Sequence, residues 1–278
     1  MKIMLVLFFC FLPLLLFGQD LKSCCEISGP AQFALLGTDP AFRMSHAEPH
    51  PFHFTAEKGI WITFKTGGKD ARAFEVKADK PTPNIVFVFH EWWGFNDYIQ
   101  QEAEQIQKAL GSAKVIALDL YDGKVATTRE EAGALMGEMT TRRGKEIIDG
   151  ALDYVGHDAR ILTIGWCFGG GWSLQGAIEA GPQGVGCVMY YGMPESDTSR
   201  LKMLQAPVLG IFAKKDGWIN DKVVSAFEKN MKDGQKKLVV RWYDAVHAFA
   251  NPSNPDYDKV ATEDAWQHAV AFFKEHLH

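Results

Sequence analysis

Apolar positions in this chain alternate at first and then run unbroken, and the change falls at a pair of prolines. Gly59 to Lys65 alternates apolar with small or polar residues, Thr66-Gly67-Gly68-Lys69 supplies a turn, and Ala71 to Ala78 alternates again. This is the pattern of a β-hairpin. After Pro81-Thr82-Pro83, Asn84 to His90 reads as a continuous apolar run, as expected of a strand buried on both faces of a parallel sheet. Similar runs predict strands at Lys114 to Leu120, Ile161 to Gly165, Gly186 to Tyr191, Val208 to Ala213 and Leu238 to Tyr243. Between and beyond them, helices are predicted over Tyr98 to Leu110, Thr127 to Met139, Arg142 to Val155, Gly171 to Ala180, Lys222 to Lys232 and Val260 to His276. Strands alternating with helices predict an α/β fold: a mostly parallel central sheet, helices on both faces and a hairpin at its amino end. In such sheets the chemistry gathers at the carboxyl ends of the strands.

Ahead of the hairpin the pattern fails. Met1 to Phe17 carries one lysine and then an almost continuous apolar stretch, with the small Gly18 at its end. That reads as a signal peptide over residues 1–18 and predicts an exported protein, periplasmic or extracellular, with no membrane span once the signal is removed. Residues 19–55 are rich in Pro, Gly, His and Ser without a sustained period, and are expected to form an extended leader. Residues 56–278 are then one domain, within the size that a single α/β core supports.

The formal charge of −5 is spread over both signs without a basic stripe, which argues against nucleic acid and anionic membrane surfaces. A small molecule is the expected partner, and a monomer or weak dimer the expected state. Among the five cysteines, Cys10 falls in the signal, Cys24 and Cys25 are adjacent in the leader, and Cys187 lies in an apolar strand. Their spacing resembles neither a disulfide framework nor a zinc site.

Cys167 stands apart from these four. Gly165-Trp166-Cys167-Phe168-Gly169-Gly170 follows a predicted strand and precedes a helix, so the cysteine sits where the chain turns sharply. This is the setting of a nucleophile elbow, with sulfur where G-x-S-x-G has oxygen. A thiol needs a base to become a good nucleophile. Asp216, in Asp216-Gly217, and His247 each lie just past the carboxyl end of a predicted strand, which gives the order nucleophile, acid, histidine. The roles follow: His247 as base, Asp216 as its orienting partner. An oxyanion would be held by backbone N–H groups of Phe168 and of Trp92 in the loop His90-Glu91-Trp92-Trp93-Gly94.

From Gly59 onward the chain resembles the dienelactone hydrolases (carboxymethylenebutenolidases) of the α/β-hydrolase fold. Three segments carry the resemblance: the G-x-C-x-G-G elbow at Gly165 to Gly170, the acid loop at Asp216-Gly217, and His247-Ala248-Phe249-Ala250 as the family's H-x-F loop. The resemblance implies a hydrolase that needs no cofactor or metal and cleaves a small ester or lactone through a thioester. It also implies that Glu91 bonds to the resting cysteine and takes part in its activation. Where relatives that bind anionic lactones carry an arginine after H-x-F-A, this chain has Asn251. Arg129 is a second candidate for holding a substrate carboxylate, and Trp93 for lining the pocket.

Bland alternatives stand beside these. Gly169-Gly170-Gly171 has no following Lys-Ser or Lys-Thr, so a phosphate loop is not expected. Ser173 lies in the helix beyond the elbow tip, which weakens a serine enzyme. His46, His50 and His53 are close enough in sequence to suggest metal, but they lie in a Pro-containing leader without the context of a site. The competing function is a ligand-binding α/β-hydrolase-like protein that has kept the cleft without turnover.

Overall fold

The parallel sheet is present and has eight strands among residues 27–277, the part of the chain that the computed structural model describes. In chain order the elements are α1 (Gly29–Leu36), α2 (Pro40–Met44), β1 (Ile60–Phe64), β2 (Ala71–Val76), β3 (Asn84–Phe89), α3 (Asp97–Leu110), β4 (Lys114–Leu118), α4 (Arg129–Glu138), α5 (Thr141–Val155), β5 (Arg160–Trp166), α6 (Phe168–Glu179), β6 (Gly184–Tyr190), α7 (Thr198–Met203), β7 (Val208–Ala213), α8 (Asp221–Asp233), β8 (Leu238–Tyr243) and α9 (Lys259–His276). A single 3-10 turn, Gly181–Gln183, leads into β6.

The strand order is β1-β2-β4-β3-β5-β6-β7-β8. β1 and β2 form the antiparallel hairpin, β2 pairs antiparallel with β4, and β3 to β8 are parallel. β3 and β7 are buried at every residue, whereas the edge strand β8 is buried at none and alternates between half-buried and exposed. That contrast follows from coverage: central strands have helices on both faces and edge strands do not.

α6 is buried from Phe168 to Ile178 because it lies between the sheet and the helices α1, α5 and α7. It comes close to α5 where Gly144 meets the Trp172 ring; a Cβ at Gly144 would fall 1.9 Å from that ring. On the other face, α3 buries Ile99, Ala103, Ile106 and Leu110, the stripe a 3.6-residue period allows, and packs against α9.

The leader departs from expectation. Residues 29–44 fold into α1 and α2, and both helices start on cues visible in the chain. Pro30 occupies the first turn of α1; Asp39 caps α2 by accepting from the Ala41 N–H at 2.8 Å, with Pro40 following. Neither helix is long enough to show a period, and what holds them is the complete burial of Phe33 and Phe42. Residues 1–18 and the pair Cys24-Cys25 lie outside the described residues. Among the described residues no helix is long and apolar enough to cross a membrane.

Candidate active site

Backbone sterics define the elbow. Cys167 has φ 57° and ψ −121°, a region that costs a non-glycine residue about 1–3 kcal/mol unless its surroundings hold it there. Its N–H donates to the Tyr190 carbonyl at 3.0 Å and its own carbonyl accepts from Gly170 N–H at 3.0 Å. The neighbouring glycines are required by close approach: a Cβ on Gly165 would lie 2.1 Å from the Gly169 carbonyl oxygen, and one on Gly169 2.2 Å from that of Phe89. Tyr191 (φ 35°) and Ala248 (φ 59°) also occupy left-handed backbone, so strain collects around the sulfur.

Asp216 and His247, from the loops after β7 and β8, meet at this point. His247 Nδ1 bonds Asp216 Oδ2 at 2.5 Å, and Asp216 Oδ1 accepts from the N–H groups of Trp218 and Ile219, both at 2.9 Å. Asp216 is thereby oriented at both oxygens. Burial would raise its pKa, but the His247 charge and these hydrogen bonds outweigh it, so the carboxyl is held below its ordinary value. Burial works against the His247 imidazolium too, and Asp216 overcomes it, lifting the pKa well above 6.5.

Cys167 Sγ, a ring nitrogen of His247 and a ring nitrogen of His46 all lie within 4.8 Å of one another. Burial pushes the thiol pKa up; His247 and the Phe168 N–H oppose that, while the charge of Glu91 adds to it. Burial thus disfavours the thiolate in the resting site. It is also sealed: Cys167 is 1% exposed, His247 6% and Asp216 4%.

The seal is the leader. Phe42 packs edge-on to Trp92 and Trp218 and lies 6.1 Å from the His247 ring; Phe33 lies 6.0 Å from the same ring and 6.3 Å from Phe168. His46 is buried 5.1 Å from His247 and 4.5 Å from Trp92. Its Nδ1 meets the Phe42 carbonyl at 2.8 Å, and burial, aided by the His247 charge, pushes its pKa down to about 3. These contacts were hidden in the sequence, where Phe33 and Phe42 look like isolated aromatics in a polar leader. The signals that could have revealed them are the helix starts at Pro30 and Asp39-Pro40.

Glu91 lies on the loop after β3, as expected, but the bond to Cys167 is not formed. Oε2 accepts from the Asn251 side chain, and the buried Oε1 has no hydrogen-bond partner. The amide at 251 reaches the carboxylate instead. Burial raises the Glu91 pKa to about 7. Glu91 and Asn251 line a narrow cleft with Trp166, Tyr98 and Glu102, whose pKa burial also raises to about 7.

Trp92 and Trp93 are buried and pack on each other at 4.9 Å, so Trp93 serves the core beneath the loop. Arg129 is engaged elsewhere: its Nε donates to the His46 carbonyl, tying α4 to the end of the leader. The loop itself is fixed by His90, which takes the Leu120 N–H on Nε2 at 3.1 Å and donates from Nδ1 to the Glu91 carbonyl at 2.7 Å.

A mostly parallel sheet with a strained cysteine elbow after a central strand, and an acid and a histidine after later strands in order, defines an α/β-hydrolase. Residues 70–277 match the model of the dienelactone hydrolase family. Protein usf of Aquifex pyrophilus is 29% identical over 230 residues, covering 79% of this chain and 99% of that protein. Carboxymethylenebutenolidase 1 of Cupriavidus pinatubonensis is 26% identical over 221 residues, 73% of this chain and 91% of that one. In three dimensions, a dienelactone hydrolase-like promiscuous phosphotriesterase from metagenomic libraries superposes with a TM-score of 0.69 at 20% identity, covering 81% of this chain and all of that one. The chain belongs to the dienelactone hydrolase family.

Proposed function

We propose that this hydrolase cleaves a small neutral ester or lactone through a thioester on Cys167. The observation that carries the reading is the 2.5 Å His247–Asp216 bond beside the elbow sulfur. His247 takes the Cys167 proton as the sulfur adds to the substrate carbonyl, and Asp216 holds the imidazole in one tautomer and stabilises its charge. The negative oxygen of the tetrahedral intermediate is held by the Phe168 N–H, at the start of α6, and the Trp92 N–H. Collapse returns the proton from His247 to the departing alkoxide and leaves the thioester. Water, deprotonated by His247, then releases the acid and regenerates the thiol.

Glu91 enters through charge. Ionised, it raises the thiol pKa, so a substrate that displaces or neutralises it favours the thiolate. Asn251 offers no cation where anion-binding relatives have arginine, and Arg129 is tied to the His46 carbonyl, which together support a substrate without a carboxylate. The apolar amino terminus supports export, which amino-terminal sequencing of the mature protein tests.

Cys167→Ala is expected to abolish turnover of small activated esters while the fold persists, and a thiol-alkylating reagent to inactivate the wild type with the label on Cys167. Turnover near wild type in the variant, or labelling confined to Cys24 and Cys25 without loss of activity, overturns the reading. Capture of a ligand without turnover is a second reading, favoured by the burial of the thiol beneath the leader. It predicts no burst of acylation with any activated ester.

A further inference from the structure

We propose that His46, Cys167 and His247 form a three-donor site for a soft divalent cation, Zn2+ fitting best, whose binding holds the elbow sulfur as a metal thiolate and stops turnover. The inhibition clause rests on the nucleophile reading above; the site itself does not. His46 belongs to the leader, ahead of residues 70–277 that match the family, and the hydrolysis steps leave it without a task.

The starting point is an imbalance of donors and acceptors. His247 Nδ1 is committed to Asp216, and His46 Nδ1 to the Phe42 carbonyl. A carboxylate and a carbonyl can only accept, so both Nδ1 atoms carry hydrogen, and Nε2 is the nitrogen each ring has left to bind with. Both Nε2 atoms are buried and neither has a hydrogen-bond partner.

A cation satisfies all three groups at once. Metal-binding histidines characteristically donate their second ring N–H to a carboxylate or a backbone carbonyl, and both arrangements occur here. Zinc holds sulfur at about 2.3 Å and imidazole nitrogen at about 2.0–2.1 Å, which places tetrahedral donors roughly 3.5 Å apart. The three donors lie within 4.8 Å of one another, so the widest pair needs to close by about 1.3 Å. Two imidazoles and a thiolate select zinc over magnesium or calcium, and leave the fourth position to water. Binding expels the Cys167 proton to solvent, so charge balances with no redox partner.

The test uses the full-length chain with Cys24→Ser and Cys25→Ser, together with Cys10→Ser, so that Cys167 and the strand-buried Cys187 are its remaining thiols, under a non-thiol reductant. Zn2+ is titrated against a chromophoric chelator, and Co2+ is added separately to read thiolate-to-cobalt charge transfer in the near ultraviolet. One equivalent of Zn2+ and a Co2+–thiolate band are expected, with neither Mg2+ nor Ca2+ competing. Cys167→Ser should lose the band, and His46→Gln should bind Zn2+ at least tenfold more weakly. Zinc should inhibit ester turnover at stoichiometric levels, and His46→Gln should need at least tenfold more, relative to its own uninhibited rate. No cobalt–thiolate band in the Cys10→Ser/Cys24→Ser/Cys25→Ser chain, or equal zinc affinity in a folded His46→Gln, overturns the site; if that variant does not fold, His46→Asn is measured on the same terms. Zinc binding without turnover of any ester would sink the hydrolase reading and leave the site standing; turnover without zinc binding would do the reverse.

Discussion

Glu91→Gln offers a test whose size can be worked out beforehand. Burial raises the Glu91 pKa from an ordinary 4.5 to about 7 in the folded protein. Below pH 4.5 both folded and unfolded chains hold the proton, and the stabilisation is fully present. Between 4.5 and 7 the folded protein keeps a proton that the unfolded chain has lost, so stability falls as pH rises, and above 7 the loss is complete. At about 1.4 kcal/mol for each pH unit, the wild type should lose roughly 3 kcal/mol over that window on account of this one group. The amide of the variant has no such proton to lose. Urea unfolding of both proteins at pH 4.5 and 8.5 measures the difference; Glu102, whose pKa is raised likewise and whose charge acts on Glu91, is replaced by Gln in both so that it does not contribute. The variant should be the less pH-sensitive by roughly 3 kcal/mol. Parallel losses in the two proteins would show that the carboxyl is ionised throughout and that burial does not govern it.

Three further outcomes are expected. Asp216→Asn leaves Nδ1 facing an amide and should cut turnover by about three to four orders of magnitude with little change in KM, read by steady-state kinetics. Gly169→Ala would place a Cβ 2.2 Å from the Phe89 carbonyl oxygen and 2.4 Å from that of His90, both fixed backbone, so soluble folded protein should be lost; a stable variant would mean the elbow relaxes freely. Phe42→Ala removes a fully buried ring and should cost about 3–5 kcal/mol in unfolding experiments. The same variant should speed alkylation of Cys167, because Phe42 is part of the cover over the site; an unchanged labelling rate would place the route to the sulfur elsewhere.

Much of the fold was legible because buried parallel strands write themselves as uninterrupted apolar runs. Val208–Ala213 and Leu238–Tyr243 match their expected limits to the residue. Other boundaries moved by a few residues: α6 begins at Phe168, directly after the elbow, because residues 168–170 look like a loop in sequence yet carry helical hydrogen bonds. α7 is six residues long, too short to show a period. The grouping of Cys167, Asp216 and His247 could be read from their order at strand ends. The ring of aromatics over them could not, since Phe33, Phe42 and His46 reach the site through tertiary packing of a segment with no period of its own. Arg129 shows the same limit, since its Nε bond to the His46 carbonyl joins segments 83 residues apart in the chain.

The leader helices have a consequence for how such an enzyme can change. Cys167, Asp216 and His247 lie in the stretch that matches the family, while the surface that closes over them comes from residues 29–46, upstream of that stretch. Substitutions in that short segment can reshape the approach to the reaction centre without touching the strands that position the reacting groups. Access and chemistry are thus written in separate parts of the chain, and selection is free to revise one while the other stays as it is.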